Sequence, residues 1–500
     1  MAGVAQRVVR DLRKDLFARL QTLPVRFFDQ RAHGEVMSRL TNDVENISNI
    51  LASSFSQLLS SVFGLVGVVI VIFMLNVPMA IVSLVVMPLT FLLTRAVARR
   101  TRQGFRETQQ TLGKLNGIIE ETVTGERTVK AFVREQATVA SFSVVNQRLR
   151  QVALRVRILA SFMGPLMNMV NNLGLAVVAC TGGWLAVQGL ATVGEIAAFV
   201  NYAGRLGRPL NQIAQLFNSI QSALAGAERV FELMDETPEL DAPDAQALEH
   251  VRGDVVFDEV CFGYNAGVPV LKSVSLHATP GQLIALVGPT GAGKTTIANL
   301  LTRFYDVDSG AIRIDGLDVR AVKKDDLRRK LALVLQDNFL FAGTVMENIR
   351  YGRLEASDDE VIAAARLANA DLFIHRLPHS YQTVLTERAG NLSQGQRQLL
   401  AIARAVLADP DILILDEATS NVDTRTEKHL QEAMLRLMQG RTSFVIAHRL
   451  STIREADEIF VIDGGQIIER GSHSQLLAQH GFYQRLYASQ FRHAVGVAAG

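Results

Sequence analysis

A stretch of 49 residues, from Asn46 to Thr94, contains no Asp, Glu, Lys, Arg or His, and few folds accommodate such a stretch. A helix needs about 20 apolar residues to cross a bilayer, so the stretch is long enough for two crossings. Asn76-Val77-Pro78 separates them, because proline cannot continue a helix. The sequence therefore predicts membrane spans near residues 55–75 and 79–97.

A second charge-free stretch of 37 residues extends from Ile158 to Gly194. It predicts one long span near residues 158–187, and a further span follows near residues 194–217. Helices of soluble proteins average about 11–12 residues, which is too short to explain these stretches. Hydrophobic residues make up 48% of the sequence, a value that also excludes a disordered chain.

The distribution of positive charge predicts the topology of these spans. Lys and Arg number eight in residues 1–45 and thirteen in residues 95–157, whereas the short turns near Asn76 and residues 189–193 contain none. Connections rich in Lys and Arg remain in the cytosol. We therefore expect an integral membrane protein whose N-terminus and 95–157 connection lie in the cytosol.

The composition changes near Met234, where acidic segments that contain proline begin. We expect a transmembrane domain with long cytosolic helical extensions over residues 1–234 and a linker over residues 235–247. Short apolar strands alternating with amphipathic helices predict a soluble α/β domain over residues 248–490, followed by a tail, residues 491–500. The net charge of +2 excludes a strongly basic protein, so we expect no nucleic acid partner.

A glycine-rich loop in the soluble half predicts a phosphate-binding site. Its glycines let backbone N–H groups surround phosphate oxygens at the N-terminus of the following helix, whose dipole favours anions. Lys294 can reach the β- and γ-phosphates, and the Thr295 hydroxyl can bind Mg²⁺. We expect ATP and Mg²⁺ at this loop, whose residues are Gly288, Pro289, Thr290, Gly291, Ala292, Gly293, Lys294, Thr295 and Thr296.

A second apolar strand, residues 412–415, ends in two carboxylates, Asp416 and Glu417. Such a pair is usually a solvated turn, but beside a phosphate loop it can be catalytic. Asp416 can hold the metal through water, and Glu417 can polarise the attacking water as a general base.

A helix predicted to extend to Leu407 follows Leu392-Ser393-Gln394-Gly395-Gln396. Ser393 is a good N-cap residue, so one interpretation is simply a capped helix. The other is a second anion site, formed by Ser393, the Gly395 N–H and the helix dipole. One ATP does not need two γ-phosphate sites in one chain. The second interpretation therefore predicts that this helix closes over nucleotide held by another chain.

These motifs resemble the nucleotide-binding domain of an ABC transporter, and the whole chain resembles an exporter-type half-transporter. The resemblance implies that Tyr264 stacks on adenine and that Gln336 contacts the metal and senses the membrane domain. It also implies that Asp423, in the D-loop, couples two sites and that His448 contacts the γ-phosphate. Alternatively, Tyr264 is an ordinary tyrosine of a strand, and His448 is a histidine with no role at the site.

The membrane half resembles the same family in its two intracellular coupling segments, residues 23–43 and 125–132. Residues 386–388 resemble an exporter-specific segment that touches the cytosolic helices. Family members have six spans, whereas we find four, and the first coupling segment normally follows the second span. We therefore expect that this chain lacks the first two spans and that apolar helix faces are exposed.

Two features bear on the partner chain and the cargo. Gln394 stands where the family most often has glycine, which would weaken the phosphate site that this chain offers its partner. Family heterodimers often combine an altered signature with a retained catalytic glutamate such as Glu417, so a heterodimer is slightly favoured over a homodimer. Arg205 and Arg208 lie in the last predicted span. They either snorkel or form ion pairs near the cytosolic end of the span. Alternatively, they line a path for amphipathic or anionic cargo.

The expected fold is multidomain, with an all-α transmembrane domain of the type I ABC exporter kind followed by an α/β P-loop NTPase domain. The resemblance implies ATP-driven efflux of a small molecule, lipid or peptide by a dimer of half-transporters. Glu417, His448 and Gln336 would support hydrolysis, with Thr295, Gln336 and Asp416 at the metal. The alternative is a non-transporting or truncated regulatory subunit whose ATPase site is intact.

Overall fold

The computed structural model describes residues 2–50, 55–265, 267–335, 338–386, 389–416, 424–447 and 450–495. It divides into two units. Unit 1 comprises residues 1–20 and 34–235, and unit 2 comprises residues 21–33 and 236–500. The division after Asp235 falls where the composition changes, and the short segment 21–33 lies with the soluble unit.

The described part of unit 1 contains helices and turns only. Its longest helix has 48 residues, which corresponds to about 72 Å at 1.5 Å per residue. The helices from the N-terminus to residue 235 are α1 (Ala2–Gln21), α2 (Val25–Asp29, which lies in unit 2), α3 (His33–Ser38), α4 (Val44–Asn49), α5 (Phe55–Leu75), α6 (Val77–Thr124), α7 (Glu126–Ala131), α8 (Glu135–Ser161), α9 (Met163–Val187) and α10 (Val193–Asp235).

Two helical segments are long and apolar enough to cross a membrane, among the residues that the structure describes. They are Ser56–Leu75, with a mean hydropathy of 2.8, and Asn168–Val187, with a mean hydropathy of 1.5. Large apolar side chains such as Phe63 and Met74 are 70% and 81% exposed, as expected for helices whose solvent is lipid. The other two predicted spans lie within α6 and α10, and their crossing of the membrane stays a prediction.

The predicted span near residues 158–187 is divided between two helices. Helix α8 ends at Ser161 and α9 begins at Met163. The physical reason is Pro165, which has no N–H to donate to the carbonyl of Ser161. The break predicted at Asn76 is present, and the Asn76 side chain accepts a hydrogen bond from the Met79 N–H at 3.3 Å.

A buried charge cluster joins the start of unit 1 to its last helix. Asp43 lies in a π-helical turn, Arg39–Asp43, and its carboxylate accepts a 2.8 Å hydrogen bond from Arg229 Nε on α10. Arg39 forms ion pairs with Glu35 at 2.7 Å and with Glu232 at 3.2 Å. Arg39 and Asp43 are only 5% and 4% exposed, so each depends on its partners for compensation of its charge. We call these residues the charge clasp.

Unit 2 is built on two main sheets and a two-stranded ribbon. The six-stranded sheet has the order β12-β11-β3-β10-β9-β6 and is parallel except for the β11–β12 pair, and the antiparallel sheet has the order β2-β1-β4-β5. The strands are β1 (Val255–Phe262), β2 (Leu271–Ala278), β3 (Leu283–Val287), β4 (Ser309–Ile314), β5 (Leu317–Asp318), β6 (Leu331–Val334), β7 (Gly343–Thr344), β8 (Val384–Leu385), β9 (Ile412–Asp416), β10 (Thr442–Ile446), β11 (Glu458–Asp463) and β12 (Gln466–Gly471).

Helices cover the parallel sheet and complete two apolar cores. The central strands β3, β9 and β10 are almost continuously apolar because parallel strands are buried on both faces. The helices are α11 (Lys294–Leu301), α12 (Lys324–Arg329), α13 (Val345–Arg350), α14 (Asp358–Leu367), α15 (Asp371–Ile374), α16 (Gln394–Ala408), α17 (Thr424–Met438), α18 (Leu450–Glu455), α19 (His473–Ala478) and α20 (Phe482–Val495).

Candidate nucleotide-binding site

The glycine-rich loop lies at the carboxyl end of β3 and leads directly into α11, as the sequence predicts. Open α/β sheets bind ligands at this end of their strands. Gly288 and Gly293 have φ values of +157° and +108°. A Cβ at Gly288 would lie 2.1 Å from the Ile462 carbonyl oxygen, and one at Gly293 would lie 2.6 Å from Leu271 Cδ2. Only glycine fits either position.

Lys294 is the first residue of α11 and is only 8% exposed. Its Nζ donates hydrogen bonds of 2.8 Å to the carbonyl oxygens of Gly288 and Pro289. Burial lowers the pKa of Lys294, while the negative charge of Asp416 acts in the opposite direction. The ammonium group is therefore held against the loop and close enough to Asp416 to feel its charge.

Asp416 occupies the carboxyl end of β9, and β10 lies between it and the loop-bearing strand. In this register Asp416 and Leu286 of β3 both pair with Ile446 of β10. Neighbouring strands are about 4.8 Å apart, so the two strand ends are roughly 10 Å apart. The sheet topology thus brings together a carboxylate and a phosphate loop that are far apart in the sequence.

The two threonines that follow Lys294 have different environments. Thr295 is exposed, so its hydroxyl is accessible to a metal ion, whereas Thr296 is buried. Tyr264 donates a 3.3 Å hydrogen bond to the Thr296 hydroxyl and accepts a 3.0 Å hydrogen bond from Asn299 Nδ2. These bonds fix the half-buried Tyr264 ring beside α11, and its stacking on adenine stays a prediction.

The signature segment forms the N-terminus of α16. Ser393 Oγ accepts a 3.3 Å hydrogen bond from the Gln396 N–H, and Gln396 Oε1 accepts one of 2.9 Å from the Ser393 N–H. This capping box confirms the structural interpretation of Ser393 as an N-cap. Ser393 is exposed, however, and a hydroxyl that accepts one hydrogen bond can still donate another. Leu392 and Gly395 are buried beneath it, and Gln394 is half-buried.

Four residues predicted to act at the site lie outside the described part of the chain: Gln336, Glu417, Asp423 and His448. So do Glu387 and Arg388 of the exporter-specific segment. Their proposed roles stay predictions.

Sequence reasoning missed an aromatic cluster that connects Tyr264 to segment 21–33. Tyr305 packs edge-on against Tyr264, with ring centroids 5.1 Å apart, and its hydroxyl donates a hydrogen bond to Asp29. Arg26 donates a 2.9 Å hydrogen bond to the Tyr264 carbonyl oxygen. Burial and the Asp29 carboxylate both raise the pKa of Tyr305, so the phenol remains protonated at neutral pH. Asp29 and Tyr305 are 276 residues apart in the sequence, and no local pattern signals their contact.

Family models match both halves of the chain. The model of the ABC transporter transmembrane region matches residues 1–210, and the ABC transporter model matches residues 271–420. The ABC transporter ATP-binding protein YfiC of Bacillus subtilis is 47% identical over 98% of this chain and 82% of its own length. The chain belongs to the ABC transporter family. This confirms the resemblance inferred from its motifs.

Other relatives identify the exporter branch of the ABC transporter family. A fatty acid ABC transporter ATP-binding/permease protein of Mycobacterium bovis is 44% identical over 96% of this chain and 76% of its own length. An ATP-dependent lipid A-core flippase of Syntrophus aciditrophicus is 40% identical over 98% and 82%. The structure of a bacterial Atm1-family ABC exporter with ATP bound matches with a TM-score of 0.77 and 34% identity, covering 98% of this chain and 86% of that one.

The predicted fold class is therefore confirmed: a helical transmembrane domain precedes an α/β nucleotide-binding domain. The chain is an exporter-type ABC half-transporter that couples ATP hydrolysis to transport. It is an integral membrane protein, and half-transporters of this family act as dimers.

Proposed function

We propose that this half-transporter exports a lipid from the inner membrane of a bacterium, powered by ATP bound at the Lys294 loop. The ATPase activity in this proposal is supported by the junction of β3 and α11. There the buried Lys294 is bonded to the glycine-rich loop and lies within range of the Asp416 charge. The lipid part rests on two relatives whose names specify a fatty acid and lipid A-core as their substrates. The N-terminus and the nucleotide-binding domain would lie in the cytosol.

The residues present fit a magnesium ion. Mg²⁺ prefers oxygen ligands. The exposed Thr295 hydroxyl would bind the ion directly, the Asp416 carboxylate would hold it through water, and Gln336 would supply a further oxygen. The ion would neutralise charge on the phosphates of ATP. Lys294 would orient the β- and γ-phosphates, and Glu417 would take a proton from the attacking water while His448 contacts the γ-phosphate.

The exposed Ser393 supports a dimer in which each chain completes the other chain's site. Its hydroxyl and the α16 N-terminus would donate to the γ-phosphate of ATP held by the partner's loop. Asp423 would couple the two sites. Gln394 has a larger side chain than glycine at the point of closest approach, which slightly favours a heterodimer in which this chain forms the weaker signature.

Reconstitution tests the proposed cargo. The full chain, in proteoliposomes and co-purified with any partner chain, should show ATP hydrolysis that a fatty acid stimulates and a peptide of similar hydrophobicity does not. It should also move labelled fatty acid across the bilayer only with ATP. Hydrolysis that responds to the peptide but not to the fatty acid would contradict a lipid cargo while leaving the ATPase assignment intact.

A further inference from the structure

A polar hollow of about 430 Å³ lies between α6 and α8, on the side of the spans that the positive charges assign to the cytosol. The two helices approach closely near it, since a Cβ added at Gly104 would lie 2.5 Å from Val156 Cγ2. Helix α6 supplies five of its lining residues and α8 supplies one. They are Arg106, Glu107, Gln110, Thr111 and Lys114 from α6, and Arg148 from α8.

The spacing of these residues makes their polar groups converge. Arg106, Gln110 and Lys114 are separated by four residues each, so they lie one above another on one face of α6. Arg148 faces them from α8, where its guanidinium lies 3.4 Å from the Glu107 carboxylate. These five charged or amide side chains are exposed to solvent, and together they border one concavity between the two helices.

The hollow has an excess of positive charge. Among the lining residues that the structure describes there are three cations and one carboxylate, and Glu107 is already paired with Arg148. The side chains of Arg106 and Lys114 form no ion pair or hydrogen bond within the described part of the chain. Two uncompensated cations in a concave polar space attract an anion, and a guanidinium can bind phosphate through two parallel hydrogen bonds.

We propose that this hollow binds a phosphate group, carried either by a phospholipid of the cytosolic leaflet or by a soluble phosphate compound. Arg106 is nine residues beyond the predicted end of its span at Val97, or about 14 Å along the helix. The head-group layer extends roughly 5–8 Å beyond the hydrocarbon on each side, so Arg106 lies about 6–9 Å beyond the head groups, on the side that the positive charges assign to the cytosol. A soluble phosphate compound can reach this position from the cytosol, whereas a lipid must extend its phosphate out of the leaflet, as the long phosphorylated head groups bound by basic pockets do. The proposal is independent of the ATP site and of the exported cargo.

The test uses the full-length protein and the double variant Arg106→Gln/Lys114→Gln. Native mass spectrometry would count bound phosphatidic acid, and thermal unfolding in detergent would report binding of inorganic phosphate. The double variant should bind about tenfold more weakly, since it loses two charge-assisted contacts. The matched control is Arg150→Gln/Arg155→Gln, which removes the same charge from exposed positions of α8 outside the hollow and should retain wild-type affinity.

A third variant tests the role of the carboxylate. Glu107→Gln frees Arg148 for the ligand, so it should tighten binding, and weaker binding would contradict the proposed role of the ion pair. Variant-dependent binding of phosphatidic acid alone assigns the ligand to the lipid head group, and variant-dependent binding of inorganic phosphate assigns a soluble ligand. Equal losses in the two double variants, or no binding of either probe by the wild type, would overturn the proposal.

Discussion

Lys294 combines two roles that can be separated by substitution. Its Nζ bonds to two loop carbonyls, and its charge, in a nearly buried position, is available to phosphate. We expect Lys294→Ala to reduce ATP affinity by at least about tenfold, because one charge-assisted contact is lost. Equilibrium binding of a fluorescent ATP analogue measures this. Lys272→Ala, an exposed lysine on β2, is the control, and wild-type affinity in Lys294→Ala would contradict the phosphate-loop role.

Substitution of Glu417 should separate ATP hydrolysis from ATP binding. We expect Glu417→Gln to bind ATP normally and to hydrolyse it about 10²–10⁴-fold more slowly, because glutamine cannot accept the proton of the attacking water. Phosphate release under saturating ATP, together with the binding assay above, gives both quantities. Unchanged turnover would show that another group activates the water.

The sequence predicted the position of the glycine-rich loop between β3 and α11, because the residues of this loop are contiguous and each has a local chemical reason. It predicted Ser393 as an N-cap, but it did not predict the hydrogen bond from Tyr264 to Thr296 or the reciprocal bond by which Gln396 completes the capping box. The first depends on how β1 and α11 pack, which is a tertiary property. The second could have been predicted from the spacing of Ser393 and Gln396, because a Gln three residues after a Ser N-cap is typical of a capping box.

The charge clasp predicts that a single substitution destabilises the protein more than the double substitution that removes both charges. The hydrogen bond to the Asp43 carboxylate and the charge of that carboxylate raise the pKa of Arg229, which favours the charged guanidinium. Arg229→Leu leaves the Asp43 carboxylate buried without this partner and should lower the unfolding temperature. Asp43→Leu/Arg229→Leu removes the buried charge as well and should recover much of the loss. Thermal unfolding at pH 7 in detergent measures both.

A charge clasp that contributes nothing to stability would give a different result. If the single and double variants unfold at the wild-type temperature, the ion pair does not contribute to stability. No local sequence pattern indicates the ion pair between Asp43 and Arg229, because the two residues are 186 positions apart in the chain. The break between α8 and α9, in contrast, could have been predicted from Pro165.

Segment 21–33 allows a prediction about the stimulation of ATP hydrolysis by cargo. We expect Tyr305→Phe to fold normally and to hydrolyse ATP, but to lose part of the stimulation by cargo, since the hydrogen bond to Asp29 links this segment to the aromatic cluster around Tyr264. Cargo-stimulated and basal ATPase rates in proteoliposomes measure the ratio. The control is Tyr351→Phe, an exposed tyrosine of unit 2. Equal stimulation in both variants would contradict a coupling role for the Tyr305 hydroxyl.

For the whole molecule, the sequence predicted the order of a membrane unit and a soluble unit because lipid and water impose different compositions. It could not predict that residues 21–33, from the N-terminal half, pack with the soluble unit. This assignment depends on side-chain hydrogen bonds such as Arg26 to the Tyr264 carbonyl and Tyr305 to Asp29, which join residues far apart in the sequence. Composition identifies the solvent of a segment but not its neighbours.

We propose that ATP is enclosed between two chains, with Ser393 of one chain facing nucleotide on the other. Thiol labelling of Ser393→Cys, in a Cys180→Ser/Cys261→Ser/Glu417→Gln background and in native membranes, tests this arrangement. We predict that ATP protects this cysteine from the reagent and leaves a Ser309→Cys control, at an exposed position outside the site, fully reactive. Equal labelling of Ser393→Cys with and without ATP would contradict the claim.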